Sequence, residues 1–359
     1  MKNKKKIYFL TGKAGGFKAM EPLLKEIIYQ NDFDLKIIVT DQHLDKNFGS
    51  TSKNIDKNFN NQHLIKIKNI NKKGTAYERT NSMSFLLNRL SKFFKSAKPD
   101  LMMIYGDRME SLITSLVCLN FSVPILHFQG GDLSGNIDEK IRHSITKLSD
   151  HHFVSNKSSL QRLIQMGESP STVYNVGDSH IDSLKKVKIK KREVYFKKYK
   201  IEKNLKPIIF MLHPENVTDK VNFEYAINSL KSLKKLPHKK ICIYPCNDLG
   251  FQQIIKALKT FQNRSFSIYK NIPYEDFIGL LKNCQFLIGN SSSGIIESSY
   301  LNIPVINLGR RQNSRLKSSN VINSNFNLNN IKKSIKKALD KKFISKQVTN
   351  CKKLYGDGH

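Results

Sequence analysis

Gln285–Arg311, QFLIGNSSSGIIESSYLNIPVINLGRR, is the stretch that decides how this chain is built. An apolar run, Phe286–Ile288, meets Gly289 and then a row of hydroxyls at Ser291, Ser292 and Ser293. A helical pattern opens at Gly294 and runs to Tyr300, and Pro304–Leu308 is again short, apolar and β-branched. Strand, turn, helix, strand is one βαβ unit of a parallel sheet. Its loop carries chemistry as well as shape. Backbone N–H groups at a helix start, with serine hydroxyls beside them, make an anion cup. Glu297 stands where a carboxylate accepts two hydrogen bonds from a ribose diol, and Arg311 brings a planar fork suited to phosphate oxygens. Serine at a helix start is also an ordinary N-cap, so it is the assembled set that reads as a nucleotide-diphosphate site.

The same alternation extends outward through the chain. In the first half, strands are expected at Ile7–Thr11, Leu35–Thr40, Leu101–Tyr105, Pro124–Phe128, His152–Val154 and Val173–Val176. Helical patterns fill Phe17–Gln30, Met83–Lys95, Glu110–Leu119, Asp138–Leu148 and Ser158–Met166. The second half repeats this with strands at Pro207–Leu212, Lys240–Tyr244, Ser267–Tyr269, Phe286–Ile288 and Pro304–Leu308. Helices near Asn222–Lys234, Gly250–Thr260, Tyr274–Leu281 and Gly294–Tyr300 complete it. This is an α/β chain of two Rossmann-like domains facing each other across a cleft. Domain boundaries are expected at 1–184 for the N-terminal domain and 207–340 for the C-terminal one, with a lysine-rich linker at 185–206 and a tail at 341–359 that packs back toward the first domain. Ligands of open parallel sheets bind beyond the carboxyl ends of the strands, and the motif residues fall on those loops.

Composition narrows the function classes. No apolar run approaches the ~20 residues that cross a bilayer, and Ile7–Leu10 is too short for a signal peptide core, so a cytoplasmic protein without a membrane partner is expected. Five scattered cysteines, Cys118, Cys242, Cys246, Cys284 and Cys351, give neither a disulfide framework nor paired zinc ligands. The net charge of +32 invites a nucleic-acid reading. Yet only ten of the 61 basic residues are arginine, and the lysines spread along solvated helix faces such as Lys231–Lys235 and Lys332–Lys337. The nucleic-acid module signatures are missing, and no nucleic-acid partner is expected. A basic field does attract an anionic sugar nucleotide.

Several further loops carry candidate residues. Gly106-Asp107-Arg108 closes a strand and precedes a helix, which fits an aspartate facing the cleft and an arginine on a phosphate, or an N-cap with a salt bridge. His127–His152 is dense in polar groups: Gly130-Gly131 permits a sharp bend, Asp132 follows, and Asp138 and Glu139 open a helix that carries Arg142 and His143. Acidic residues at that helix start also suit the macrodipole. No His-x-x-x-His pairing occurs, so no metal site is expected. His213-Pro214-Glu215 ends the first strand of the second half, and its histidine can donate to a phosphate or a uracil carbonyl. The loop Thr11–Gly16, with Lys13, lacks the spacing of a dinucleotide or Walker motif, so no NAD or ATP cofactor is expected.

Together these residues resemble the hydrolysing UDP-N-acetylglucosamine 2-epimerases of sialic-acid and legionaminic-acid pathways. The matching segments are Thr40–Leu44, Gly106–Arg108, Gly130–Asp132, Ile137–Glu139 with Arg142–Lys147, Phe153, Val176-Gly177 with Asp182, His213-Pro214, Asn271–Pro273, Gly289–Gly294 with Glu297, and Arg311-Gln312. They run collinearly over nearly the whole chain. The resemblance implies a glycosyltransferase-B-like arrangement and a reaction that expels UDP by anti elimination and adds water to the glycal, with no cofactor. On UDP-N-acetylglucosamine the products are N-acetylmannosamine and UDP. The alternatives are the same reaction on UDP-2,4-diacetamido-2,4,6-trideoxy-glucose, a glycosyltransferase, or a non-catalytic UDP-sugar binder. The resemblance places catalytic acids on Asp107, Asp138 and Asp182 with His43 nearby. UDP contacts fall on Lys13, Arg108, His213, Ser291, Ser292, Glu297 and Arg311, and a homo-oligomer, dimer or tetramer, is implied. The pattern departs at Gln129, where the sialic-acid members carry glutamate and an amide cannot shuttle a proton. Asp132 or His127 are the candidate substitutes. Lys13 stands for an arginine and Phe17 for a hydroxyl residue. The chain ends at Tyr355-Gly356-Asp357-Gly358-His359, where relatives continue into a terminal helix that packs back toward the first domain.

Overall fold

Strands buried on both faces read as continuous apolar runs, and a parallel sheet with helices on either side is the arrangement that buries them. The computed structural model describes residues 4–69, 75–215 and 217–358; Met1–Asn3 of the first expected domain and His359 of the expected tail lie outside these. The chain divides into two units, the first holding residues through Leu133 and Ile137–Ser183, the second holding Ser134–Asn136 and Leu184–Asp357.

The first unit is built on a seven-stranded sheet. Its strands are β1 (Lys5–Thr11), β2 (Phe33–Val39), β3 (Leu64–Lys66), β4 (Leu101–Tyr105), β5 (Ile125–Phe128), β6 (His151–Val154) and β7 (Val173–Asn175). Their order is β3-β2-β1-β4-β5-β6-β7, and each neighbouring pair is parallel. Alternate residues feed opposite layers, as the period of two requires. Tyr8, Leu10, Met102 and Ile104 pack with Leu86, Leu90 and Phe94 on one face. Ile7, Phe9, Met103 and Tyr105 pack with Phe17, Met20 and Leu24 on the other. Each such burial stabilises by about 1.5–3 kcal/mol.

The helix Ala14–Gln30 contains Pro22. Proline has no N–H, which deprives the Lys18 carbonyl of its intrahelical donor. Ser183 Oγ donates to that carbonyl and lies 3.3 Å from the Ala19 carbonyl as well. A distant hydroxyl thus makes an interior proline tolerable.

The second unit has a six-stranded sheet of β8 (Ile208–Met211), β9 (Lys240–Ile243), β10 (Phe266–Tyr269), β11 (Phe286–Gly289), β12 (Val305–Leu308) and β13 (Val321–Ser324). The order is β10-β9-β8-β11-β12-β13, again parallel throughout. Ile208 and Phe210 enter one layer and Ile209 the other. The strands expected from sequence are all present, with ends moved by a residue or two. The edge strands β3 and β13 were not expected: they are three and four residues long and only partly buried.

The basic stretch 185–206 holds a helix, Arg192–Lys198, whose Tyr195 and Phe196 lie in the core of the second unit with Tyr199. Gly279 lets Tyr195 approach; a Cβ there would stand 2.0 Å from the ring. Beyond residue 340, Phe343 and Val348 join the second core, and the Tyr355 hydroxyl donates to the Leu316 carbonyl at 2.9 Å. Among the described residues, no helix is long and apolar enough to cross a membrane.

Strand order reverses between β1 and β4 in the first sheet and between β8 and β11 in the second. Loops diverge at such switch points and leave a crevice for a ligand.

Candidate functional site

At the switch point of the first unit, Gly106-Asp107-Arg108 follows β4 and Lys13 follows β1. Gly106 adopts φ +78°, a left-handed turn that suits glycine. Asp107 forms an ion pair with Arg142, whose side chain is wholly buried. Arg142 comes from the helix Ile137–Lys147 and also donates to the Asp132 carbonyl at 2.5 Å. The guanidinium therefore fastens the loop after β4 to the loop after β5.

Arg108 stays within the first unit, its Nη2 3.8 Å from Asp41 and its Nε 3.4 Å from Glu110. Glu110 fills the space above Gly12, where a Cβ would stand 2.1 Å from Oε1. Lys13 is half-buried and occupies the N-cap position of its helix. Asp138 is half-buried in the first turn of Ile137–Lys147, and Asp182 is exposed in the first turn of Ser179–Lys185.

Two fully buried histidines, His43 and His127, anchor loops. His43 Nε2 lies 3.0 Å from Thr11 Oγ1 and its Nδ1 2.7 Å from Thr51 Oγ1. His127 Nε2 donates to the Gly106 carbonyl at 2.8 Å, and its Nδ1 lies 3.2 Å from Thr146 Oγ1. Burial pushes both down to about 3, against hydrogen bonds to the Lys13 and Gly106 backbone that act the other way. Both are neutral near pH 7. The unfolded chain takes up these protons below about pH 6.5, whereas the folded chain refuses them until about pH 3. Stability consequently falls as pH falls through that window, by up to ~1.4 kcal/mol per pH unit for each histidine. Urea unfolding at pH 7 and pH 5 measures the slope. His43→Gln and His127→Gln are each expected to flatten it, and an unchanged slope in both removes the assignment.

Both substitutes considered for Gln129 are tied into contacts between loops. Asp132 Oδ1 accepts from Ser155 Oγ at 2.7 Å, Asn156 Nδ2 at 3.2 Å and Ser159 Oγ at 2.5 Å, which ties it into the loop after β6. His127 is fully buried with both ring nitrogens engaged. Gln129 itself adopts φ +62° and donates through Nε2 to Asp178, a residue of the loop after β7.

In the second unit one side chain stitches the switch point together. Asn290, directly after β11, accepts from the His213 N–H at 2.7 Å and donates to the His213 carbonyl at 3.0 Å. Its own carbonyl accepts from Gln312 Nε2 at 3.1 Å and lies 3.4 Å from Arg311 Nη1. Glu215 Oε1 accepts the N–H groups of Arg310 and Arg311 at 3.0 and 3.1 Å, fixing the turn after β12. His213, Ser291, Ser292 and Arg311 are thus brought to one end of the sheet.

His213 Nδ1 accepts the Cys246 N–H at 3.1 Å, which puts the proton of the neutral ring on Nε2, the atom that can donate to a ligand. Cys246 Sγ lies 3.1 Å from the same Nδ1 and donates to Asp248 Oδ2 at 3.2 Å. Asp248 in turn stands 3.5 Å from Arg311 Nη2. Glu297 is buried and accepts from Ser293 Oγ at 3.4 Å.

The helix expected from Gly294 is different. Ser292–Gly294 is a 3₁₀ turn, and the α-helix is only Ile296–Tyr300. The N–H groups of Ser293, Gly294 and Ile295 are spent within the turn, on Ser291 Oγ at 3.4 Å and on the Ser291 and Ser292 carbonyls at 3.1 and 2.8 Å. Anion binding here draws on serine hydroxyls and Arg311 rather than on the dipole of a long helix. Sequence reading passed over Asn290, Cys246 and Asp248. The Asn290 signal was present, an amide between the strand-ending Gly289 and the serine row. The other two sit in a loop with no recognisable motif.

No group of three or more His, Cys, Asp or Glu able to hold a metal occurs among the described residues.

A sequence model described as UDP-N-acetylglucosamine 2-epimerase matches residues 25–359. The chain is 32% identical over 359 residues to the UDP-N,N'-diacetylbacillosamine 2-epimerase (hydrolyzing) of Legionella pneumophila, covering 99% of this chain and 93% of that one. It is 33% identical over 334 residues to the UDP-N-acetylglucosamine 2-epimerase of Neisseria meningitidis serogroup B, covering 93% and 87%. Among solved structures, the UDP-GlcNAc 2-epimerase from Neisseria meningitidis bound to UDP-GlcNAc superposes with a TM-score of 0.80 at 19% identity, over 98% of this chain and 96% of that one.

Proposed function

Because the chain belongs to the UDP-N-acetylglucosamine 2-epimerase family, we propose that it is a hydrolysing 2-epimerase acting on a UDP-linked 2-acetamido sugar for nonulosonic-acid synthesis. The substrate is UDP-N-acetylglucosamine or its 2,4-diacetamido-6-deoxy counterpart. The observation that carries this reading is the Asn290 knot, which holds His213 and Arg311 beside the serine row at the end of β11. That grouping suits a diphosphate, and Glu297 lies on the helix just beyond it.

The chemistry follows from the acidity of the sugar. The C2 proton is a poor acid unless C1–O cleavage is already advanced, so stabilising the departing diphosphate is the first requirement. Arg311 and the serine hydroxyls meet it, and His213 Nε2 adds a donor. Carboxylates then move the protons, with Asp107 the candidate paired to a buried arginine. Water adds to the glycal and gives the 2-epimer.

Incubating the protein with each UDP-sugar and following the products by NMR tests this. Free UDP together with the 2-epimeric sugar is the expected result. Intact UDP binding without turnover of either sugar rejects it and favours a non-catalytic UDP-sugar binder, the reading that Gln129 supports. Turnover that requires an added acceptor indicates a glycosyltransferase. Arg311→Ala is expected to weaken UDP binding by about 1.5–3 kcal/mol, the range for a hydrogen bond to a charged group. Titration calorimetry with UDP measures it, and an unchanged affinity removes Arg311 from the site.

A further inference from the structure

The amide at Gln129 poses a chemical problem for the proposed reaction, and its surroundings supply an answer. Gln129 follows β5 and is buried, with Gly106 close by: a Cβ on Gly106 would stand 3.9 Å from Gln129 Oε1. It therefore sits against the loop that carries Asp107. Its Nε2 donates to Asp178 Oδ2. The other Asp178 oxygen accepts the His180 backbone N–H at 2.9 Å and lies 2.9 Å from His180 Nδ1. Tyr105, the last residue of β4, places its hydroxyl 2.8 Å from the same Nδ1. Four side chains gathered at the carboxyl end of the first sheet thus form a continuous chain.

The charges in this chain agree with one another. Asp178 has a side chain with no exposed surface. Burial alone would raise its pKa, but the neighbouring His180, its hydrogen bonds and the Gln129 amide together hold it below the usual carboxylate range. A glutamate at 129 would set a second carboxylate against Asp178, and like charges at that distance oppose each other. A glutamine donates instead. The amide at 129 and the carboxylate at 178 are a matched donor and acceptor.

Resting on the hydrolysing 2-epimerase reading, we propose that His180, oriented by Asp178 and Tyr105, carries the proton that a glutamate at position 129 would carry, and that Gln129 is the neutral clamp on Asp178. His180 keeps 11% of its side chain exposed, against none for Asp178. With Nδ1–H directed at Asp178, Nε2 is the basic nitrogen. As the C1–O electron pair leaves with UDP, the C2–H pair forms the C1–C2 double bond and the proton passes to Nε2. Water then gives its hydroxyl to C1 and a proton to C2, and the imidazolium releases its proton to solvent. No oxidant or cofactor enters.

Steady-state turnover of the UDP-sugar and UDP affinity are measured for the wild type, His180→Gln, Asp178→Asn, Gln129→Glu and the double variant Gln129→Glu/Asp178→Asn. His180→Gln is expected to lower kcat by about 100-fold or more, the usual scale for losing a proton carrier, with KM and UDP affinity within about twofold. Asp178→Asn and Gln129→Glu each lower kcat, and the double variant, which returns one acid and one amide to the pair, recovers part of the loss. A His180→Gln enzyme that keeps its kcat, or one that loses UDP binding in step with kcat, overturns the assignment, as does a double variant no better than the worse single one. Should His180→Gln not fold, Tyr105→Phe removes only the hydroxyl at Nδ1: a lower kcat at constant KM supports the proposal and an unchanged kcat sinks it. A wild type inert on both sugars overturns the function reading and this assignment together, whereas an active wild type with an equally active His180→Gln variant overturns this assignment alone.

Discussion

Arg142→Met lowers the free energy of unfolding by about 3–5 kcal/mol, the cost of removing one partner from a buried ion pair. The Arg142 side chain has no exposed surface and the Asp107 side chain only 16%. Methionine fills most of the volume, so the loss is electrostatic rather than a cavity. Asp107 loses the guanidinium that pairs with it, and the Asp132 carbonyl loses a donor at 2.5 Å. Lysine is no remedy, because a point charge on a shorter stem cannot reach two acceptors in the fixed geometry of a guanidinium fork. Urea denaturation gives the number. The double variant Asp107→Asn/Arg142→Met isolates the pair: it is expected to be more stable than Arg142→Met alone, since the stranded carboxylate is gone. A single-variant loss below about 1 kcal/mol would mean that Asp107 is hydrated in solution and the pair contributes little.

That ion pair also shows where sequence stops being informative. The parallel sheets were legible because strands such as Ile7–Thr11 and Leu101–Tyr105 are apolar on both faces and are followed by helical periods. Two of the four edge strands carry no such mark. Leu64–Lys66 and Val321–Ser324 pair on one side only, so they tolerate exposed and polar residues and look like loop. Helix starts were misread for a related reason. Ala76–Ser96 begins two turns before the expected Met83, in polar sequence capped by Thr75, whose Oγ1 accepts the Glu78 N–H at 3.2 Å.

Within the candidate site, loops could be placed but partners could not. Asp107 and Arg142 lie 35 positions apart, and Arg142 read as a helix-face cation suited to the macrodipole. Its actual role depends on the sheet order, which sets the loops after β4 and β5 side by side. Asp178 and His180 were visible as neighbours in Gly177-Asp178-Ser179-His180, yet nothing local says that Gln129, 49 positions earlier, donates to Asp178. The serine row failed in the opposite direction. Its composition promised a helix dipole, and the residues instead close a 3₁₀ turn that uses up three N–H groups.

Asp107→Asn is expected to reduce kcat by about 100- to 10,000-fold, the range for removing a positioned acid or base, while UDP affinity stays within about twofold. The substitution is close to isosteric. Its amide oxygen still accepts from Arg142, so the loop after β4 keeps its anchor and the guanidinium keeps a partner. What disappears is the ability to take up and release a proton. The residues proposed to face the nucleotide, His213, Ser291 and Arg311, belong to the other unit and are not touched. Loss of kcat without loss of UDP binding therefore separates proton transfer from leaving-group stabilisation, and Arg311→Ala gives the complementary pattern of weakened binding. Thermal unfolding run in parallel guards against a trivial result, because a folded Asp107→Asn enzyme has to melt close to the wild type. If kcat survives while UDP binding falls, Asp107 is a structural counterion to Arg142 and the proton chemistry belongs to other groups.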